Sequence, residues 1–120
     1  MLYFVPNRVA EEYRQFVDKP HKHNMPVIKR KLSAMVYATK WRRELIDEEK
    51  QIYRHNFNGI ILIVEDKNHC ISSVSKKFEL TSDIKSTCFY KQNCRNMGLN
   101  SNRDDFSPEY KKQIEQYKSL

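Results

Sequence analysis

The sequence predicts a mainly α-helical fold, because three apolar stripes recur at helical spacing. The first follows Pro6-Asn7, the second follows Pro26, and the third opens on the acids Asp47, Glu48 and Glu49. In the first segment, read as a helix over 7–18, Val9, Tyr13, Phe16 and Val17 fall at i, i+4, i+7 and i+8. Charged residues occupy the other faces. Asn7 suits an N-cap and Pro20 ends the pattern. The polar stretch 21–25 reads as a loop, and Pro26 belongs in a first turn.

The second helix is expected over 27–42, with Ile28, Leu32, Met35 and Thr39 on one face. Trp41 lies well off that stripe, by roughly 150° at about 100° per residue. The third is expected over 46–58. Its acids match the positive end of the helix dipole, and Ile46, Tyr53 and Phe57 line one face. Asn58-Gly59 then reads as a stop. Two readings stay open for residues 60–75: Ile60 to Val64 continues the helical stripe, or it pairs with Cys70 to Ser75 as a short β-hairpin. Residues 91–106 are mostly polar and are expected to lack regular structure. A short C-terminal helix is expected after Ser107-Pro108, carrying Tyr110, Ile114 and Tyr117.

Charge narrows the function. Twenty-two Lys and Arg stand against 15 Asp and Glu, a net charge of +7. A surplus of this size favours capture of polyanions. It is uneven, because residues 29–43 hold Lys29, Arg30, Lys31, Lys40, Arg42 and Arg43 without one acid. Three cysteines, Cys70, Cys88 and Cys94, suit a reducing compartment better than a disulfide scaffold. The N-terminus lacks a signal-peptide pattern, and the longest apolar run, Ile60 to Val64, is far short of a membrane span. No membrane partner is expected.

Catalytic and metal motifs are not legible. Two glycines do not make a glycine-rich phosphate loop, and no nucleophile–base motif stands out. His21 with His23, His69-Cys70, and Cys88 with Cys94 lack the close pairing of common zinc sites. The sequence therefore predicts no enzyme, no cofactor and no metal site.

The segment Pro6-Asn7-Arg-Val-Ala-Glu-Glu-Tyr13-Arg14-Gln-Phe16-Val17, the segment Ser33 to Trp41-Arg-Arg-Glu44, and Glu49-Lys50-Gln-Ile-Tyr53 together resemble an HMG box, closest to fungal mating-type-like boxes. The resemblance covers a little under half of the chain. It implies an L-shaped three-helix DNA-binding domain over 6–58, followed by a tail, 59–120, of uncertain and partly disordered character. It further implies a nuclear transcription regulator lying in the DNA minor groove. Asn7 would read base edges and Val9 or Ala10 would supply the wedge, with Ala10 a small one. Lys31, Ser33 and Ala34 would contact the duplex from the second helix. Arg14, Lys29, Arg30, Lys40, Arg42 and Arg43 complete the expected DNA-binding set. Trp41, Tyr13 and Tyr53 would be core aromatics. The rival reading is a helical protein-interaction module with a basic surface.

Overall fold

The computed structural model describes residues 2–16, 24–77, 84–101 and 105. Two helices come first, α1 (Asn7–Phe16) and α2 (Met25–Thr39), the latter extended by a 3-10 turn, Lys40–Arg42. Four strands follow: β1 (Glu44–Asp47), β2 (Ile52–Phe57), β3 (Ile60–Glu65) and β4 (Cys70–Lys76). Helix α3 (Ile84–Asn96) comes after them. The strands form one antiparallel sheet in the order β1-β2-β3-β4. This α/β architecture overturns the expected mainly helical, L-shaped HMG-box-like fold.

The first two helices lie where the stripes put them. Ile28, Leu32, Met35 and Thr39 are all buried, as are Val9 and Tyr13. The carbonyl of Pro6, rather than the side chain of Asn7, receives the first helical N–H bonds of α1. Asn24 caps α2, its side chain accepting from the Val27 amide at 3.0 Å. Buried residues extend around α2 to Ala34, Val36 and Ala38, so it is the central helix. It packs on α1, α3 and β2.

The third expected helix, 46–58, is instead two strands and a turn. Asp47 accepts the Lys50 amide at 2.9 Å, so the acidic run closes a β-turn rather than opening a helix. Asn58 and Gly59 both have positive φ, 50° and 88°, and Phe57 pairs directly with Ile60. That is the two-residue hairpin loop whose left-handed residues match strand twist. Of the two readings for 60–75, the hairpin is the one observed: β3 and β4 pair throughout, with a bulge between Ile63 and Val64. The expected boundary at residue 58 falls inside the β2–β3 turn.

On the helix-facing side of the sheet, His55, Leu62 and Val74 form one row, and Phe57 with Ile60 the next. Phe57, Ile60, Leu62 and Val74 share one core with Val9, Tyr13, Leu32 and Met35 of the helices. Tyr90 of α3 packs on Phe57 at 4.7 Å between ring centres. Residues 91–96, expected to be irregular, are the end of α3, where Cys94 is buried. Trp41, expected in the core, is 50% exposed, and Tyr53 is half-buried. The expected loop at 21–23, Val17, the side chain of Phe16 and the C-terminal helix after Ser107 lie outside the described residues. No helix among the described residues is long and apolar enough to cross a membrane.

Candidate functional site

Polar chemistry gathers at the end of the sheet where β2 begins and β3 ends. A short segment before α1 reaches this end and bridges to β4: the Phe4 amide donates to the His69 carbonyl at 2.8 Å, and the Ile71 amide to the Phe4 carbonyl at 2.9 Å. The Tyr3 amide donates to Ser33 Oγ at 3.1 Å, tying the same segment to α2. These bonds hold the Tyr3 ring flat against the His69 ring, 3.9 Å between centres and 12° between planes.

His69 itself sits in the left-handed region, φ 50° and ψ 47°, after a 3-10 turn at Asp66–Asn68. Such a conformation is uncommon for a residue with a side chain and costs local strain. Its Nε2 lies 3.5 Å from the Tyr37 hydroxyl, near the C-terminal end of α2. Burial raises the Tyr37 phenol above its ordinary range. Tyr3 is pushed up to about 12, first by burial and then by the Asp66 carboxylate and Tyr37, with Arg43 opposing. Both phenols therefore hold their protons at neutral pH and act as donors.

Cations flank the rings. Lys40 Nζ lies 5.7 Å from the centre of the Tyr37 ring. The Arg43 guanidinium stacks on Tyr53 at 3.7 Å and donates to Asp66 Oδ2 at 2.8 Å. Beneath them His55 is fully buried, its Nδ1 3.0 Å from Thr39 Oγ1. Thr39 Oγ1 also lies within 2.9 Å of the Met35 carbonyl, to which it donates. Nε2 of His55 has no hydrogen-bond partner among the described residues. Burial, then Arg43, push the His55 pKa down to about 4, Lys40 adding to the fall and Asp66 working against it. His55 is neutral at pH 7.

Of the residues expected to meet DNA, the structure brings Lys40 and Arg43 together at this cluster. Arg42, between them in sequence, donates to the Asn56 carbonyl. Lys29 and Asn7 pair with one another on the surface at 2.6 Å, and Arg30 is exposed. Arg14 bonds Glu11 at 3.1 Å. Val9, Ala10, Ser33 and Ala34 are fully buried, and Lys31 is buried against Asp105 at 2.6 Å. These five side chains face the interior, because α1 and α2 turn those faces to the sheet and to α3, and none is presented to a duplex. Among the described residues no group of three His, Cys, Asp or Glu side chains is placed to hold a metal ion.

Sequence reasoning missed Tyr3, Tyr37, His55, Asp66 and His69, which only the sheet brings together. One signal is present: Asp66-Lys-Asn-His69 is a polar run between two apolar ones, a place where exposed functional residues concentrate. No protein-family model, curated protein or solved structure matches the chain.

Proposed function

We propose that the chain binds nucleic acid, with Lys40 and Arg43 meeting phosphates beside the Tyr3–Tyr37–His69 cluster. The observation that carries this reading is the Arg43 guanidinium, laid on Tyr53, anchored by Asp66 and still partly exposed. A fixed arginine fork and a neighbouring lysine supply the donors, which suits phosphate oxygens. The net charge of +7 supports long-range capture. The minor-groove geometry implied by the HMG-box resemblance belonged to the helical fold and is no part of this proposal.

The test is a salt titration of binding to single-stranded RNA, single-stranded DNA and duplex DNA. Affinity should fall linearly on a log–log plot. Lys40→Ala and Arg43→Ala should each make the slope shallower by about 0.7 for a single strand or about 0.9 for a duplex. Binding that ignores salt, or no binding at low salt, overturns the reading and favours the protein-interaction module.

A second reading is favoured by the strained placement of His69 against Tyr37, which sets an acid–base pair beside the cations: cleavage of an RNA strand. His69 Nε2 would take the proton of a ribose 2′-hydroxyl as that oxygen bonds to phosphorus and the P–O5′ bond breaks. The Tyr37 hydroxyl would protonate the departing 5′ oxygen and regain its proton from His69. Arg43 and Lys40 would stabilise the charge on the non-bridging oxygens. The products are a 2′,3′-cyclic phosphate and a 5′-hydroxyl. End-labelled RNA should be cut in the presence of EDTA and the matching DNA left whole, with activity lost in His69→Ala. Intact RNA would leave a binding protein only.

A further inference from the structure

We propose that Trp41, with Lys85 and Phe89, forms a stacking site for an unpaired base of a single-stranded nucleic acid; this rests on the phosphate-binding reading above. Trp41 belongs to the 3-10 turn at the end of α2, directly after Lys40 and two residues before Arg43. The indole is half exposed, yet its orientation is fixed: Nε1–H donates to Ser86 Oγ of α3 at 3.0 Å. Phe89, one turn further along α3, is also exposed. A large aromatic ring held rigidly in solvent by its polar edge loses little conformational freedom when a flat partner arrives.

The charge around the rings selects the partner. Lys85 Nζ lies 4.4 Å from the centre of the Trp41 ring and 5.9 Å from that of Phe89. Residues 29–43, which end just past Trp41, contain no acid, and neither do residues 84–101. Both elements that carry the rings are thus basic, which complements a polyanion that also offers flat aromatic groups. An unpaired strand has both; a duplex keeps its base faces stacked inside. A base stacked on an aromatic ring gains more than an exposed ammonium resting on the same ring. A base can therefore take the place of Lys85 on Trp41, and the released ammonium is left beside the adjoining phosphate.

Trp41 is the only tryptophan, so its fluorescence reports this site alone. The full chain is titrated with a uridine oligonucleotide, the same oligonucleotide paired to its complement, and polyglutamate, following emission and the anisotropy of labelled ligand together. The single strand should quench emission, while the duplex and polyglutamate should not. Trp41→Ala should weaken single-strand binding by about tenfold with the salt slope unchanged. Trp41→Phe should keep most of the affinity, and Lys85→Ala should lower the slope by about 0.7. If anisotropy shows binding while emission and the Trp41→Ala affinity do not change, the stacking site is refuted and the phosphate site stands. Equal quenching by polyglutamate refutes the stacking site in favour of an acidic protein partner. If no nucleic acid binds at low salt, both readings fall.

Discussion

Lys31 Nζ lies 2.6 Å from Asp105 Oδ1, with side-chain exposures of 4% and 0%. Two phenols hold Asp105 in place: the Tyr90 hydroxyl donates to its other carboxylate oxygen at 2.7 Å, and the Tyr13 hydroxyl to its carbonyl at 2.9 Å. Burial raises both phenols well above their ordinary range, and the nearby Asp105 raises them further, so both stay donors. The contact joins α2 and α3 to a residue well beyond the sheet.

Breaking this pair on one side strands a buried charge. Lys31→Met or Asp105→Leu should each lower stability by about 3–5 kcal/mol in urea denaturation. The double variant should recover much of that loss, because the stranded charge is gone. By contrast Lys29→Ala and Arg30→Ala, on the surface, should each stay within about 0.5 kcal/mol of the parent. Three neighbouring basic residues thus separate into one structural and two surface positions. A Lys31 variant as stable as the Lys29 variant would contradict the pairing.

That separation shows where reading the sequence stops. Helical spacing located α1 and α2 because their burial is a property of the local chain, and Ile28, Leu32, Met35 and Thr39 are indeed interior. It misread Ile46, Tyr53 and Phe57, since spacings of seven and four also suit two short strands with a turn between them. The Asp47 carboxylate adds to the confusion, because an Asx turn and a helix N-cap use the same side chain to amide bond. Lys31 was unreadable for a different reason: its partner lies 74 positions away. The site shares that difficulty. Tyr3, Tyr37, His55 and His69 come from four separate elements, and only Lys40 and Arg43 carried a local signal.

The β2–β3 turn supplies the next prediction. Gly59 has φ 88° and its amide donates to Asn56 Oδ1 at 3.1 Å. An alanine there would hold its Cβ in a strained conformation, costing about 1–3 kcal/mol. Gly59→Ala should lower the urea midpoint accordingly. Asn58 also has positive φ, and its Nδ2 donates to Thr87 Oγ1 on α3 at 3.1 Å. Asn58→Gly should therefore keep the turn while loosening the hairpin from α3. Amide exchange should speed up in α3 more than in β2 and β3.

His55 makes stability depend on pH. Its folded pKa of about 4 lies below the usual value of 6.5 because burial and Arg43 disfavour the cation. Between these values the unfolded chain takes up a proton that the folded chain refuses. Stability must therefore fall as pH drops from about 6.5 to about 4, by up to about 3 kcal/mol, and this contribution levels off below that range. Urea midpoints measured from pH 7 to pH 4 should show the decline. His55→Leu should flatten it by close to one proton. An unchanged slope in that variant would mean that other groups set the acid limit.

The last prediction turns on Arg43, which divides its guanidinium between the Asp66 carboxylate at 2.8 Å and the face of Tyr53 at 3.7 Å. A phosphate arriving at Arg43 meets two opposing effects. The stacked, anchored fork is already oriented, which favours a bidentate contact. The Asp66 carboxylate, however, neutralises much of the charge and repels the newcomer. Asp66→Asn keeps an oxygen that can accept from Arg43 and removes the negative charge. Polyanion affinity should therefore rise in this variant, and the salt slope should steepen by no more than about one unit. Arg43→Ala should do the reverse, lowering both. The double variant should fall well below Asp66→Asn alone, because most of the gain passes through the unmasked arginine. Circular dichroism on each variant checks that the sheet is intact. If Asp66→Asn folds and binds no more tightly than the parent, Arg43 is a structural strut between β1 and the β3–β4 turn, and phosphates are met elsewhere.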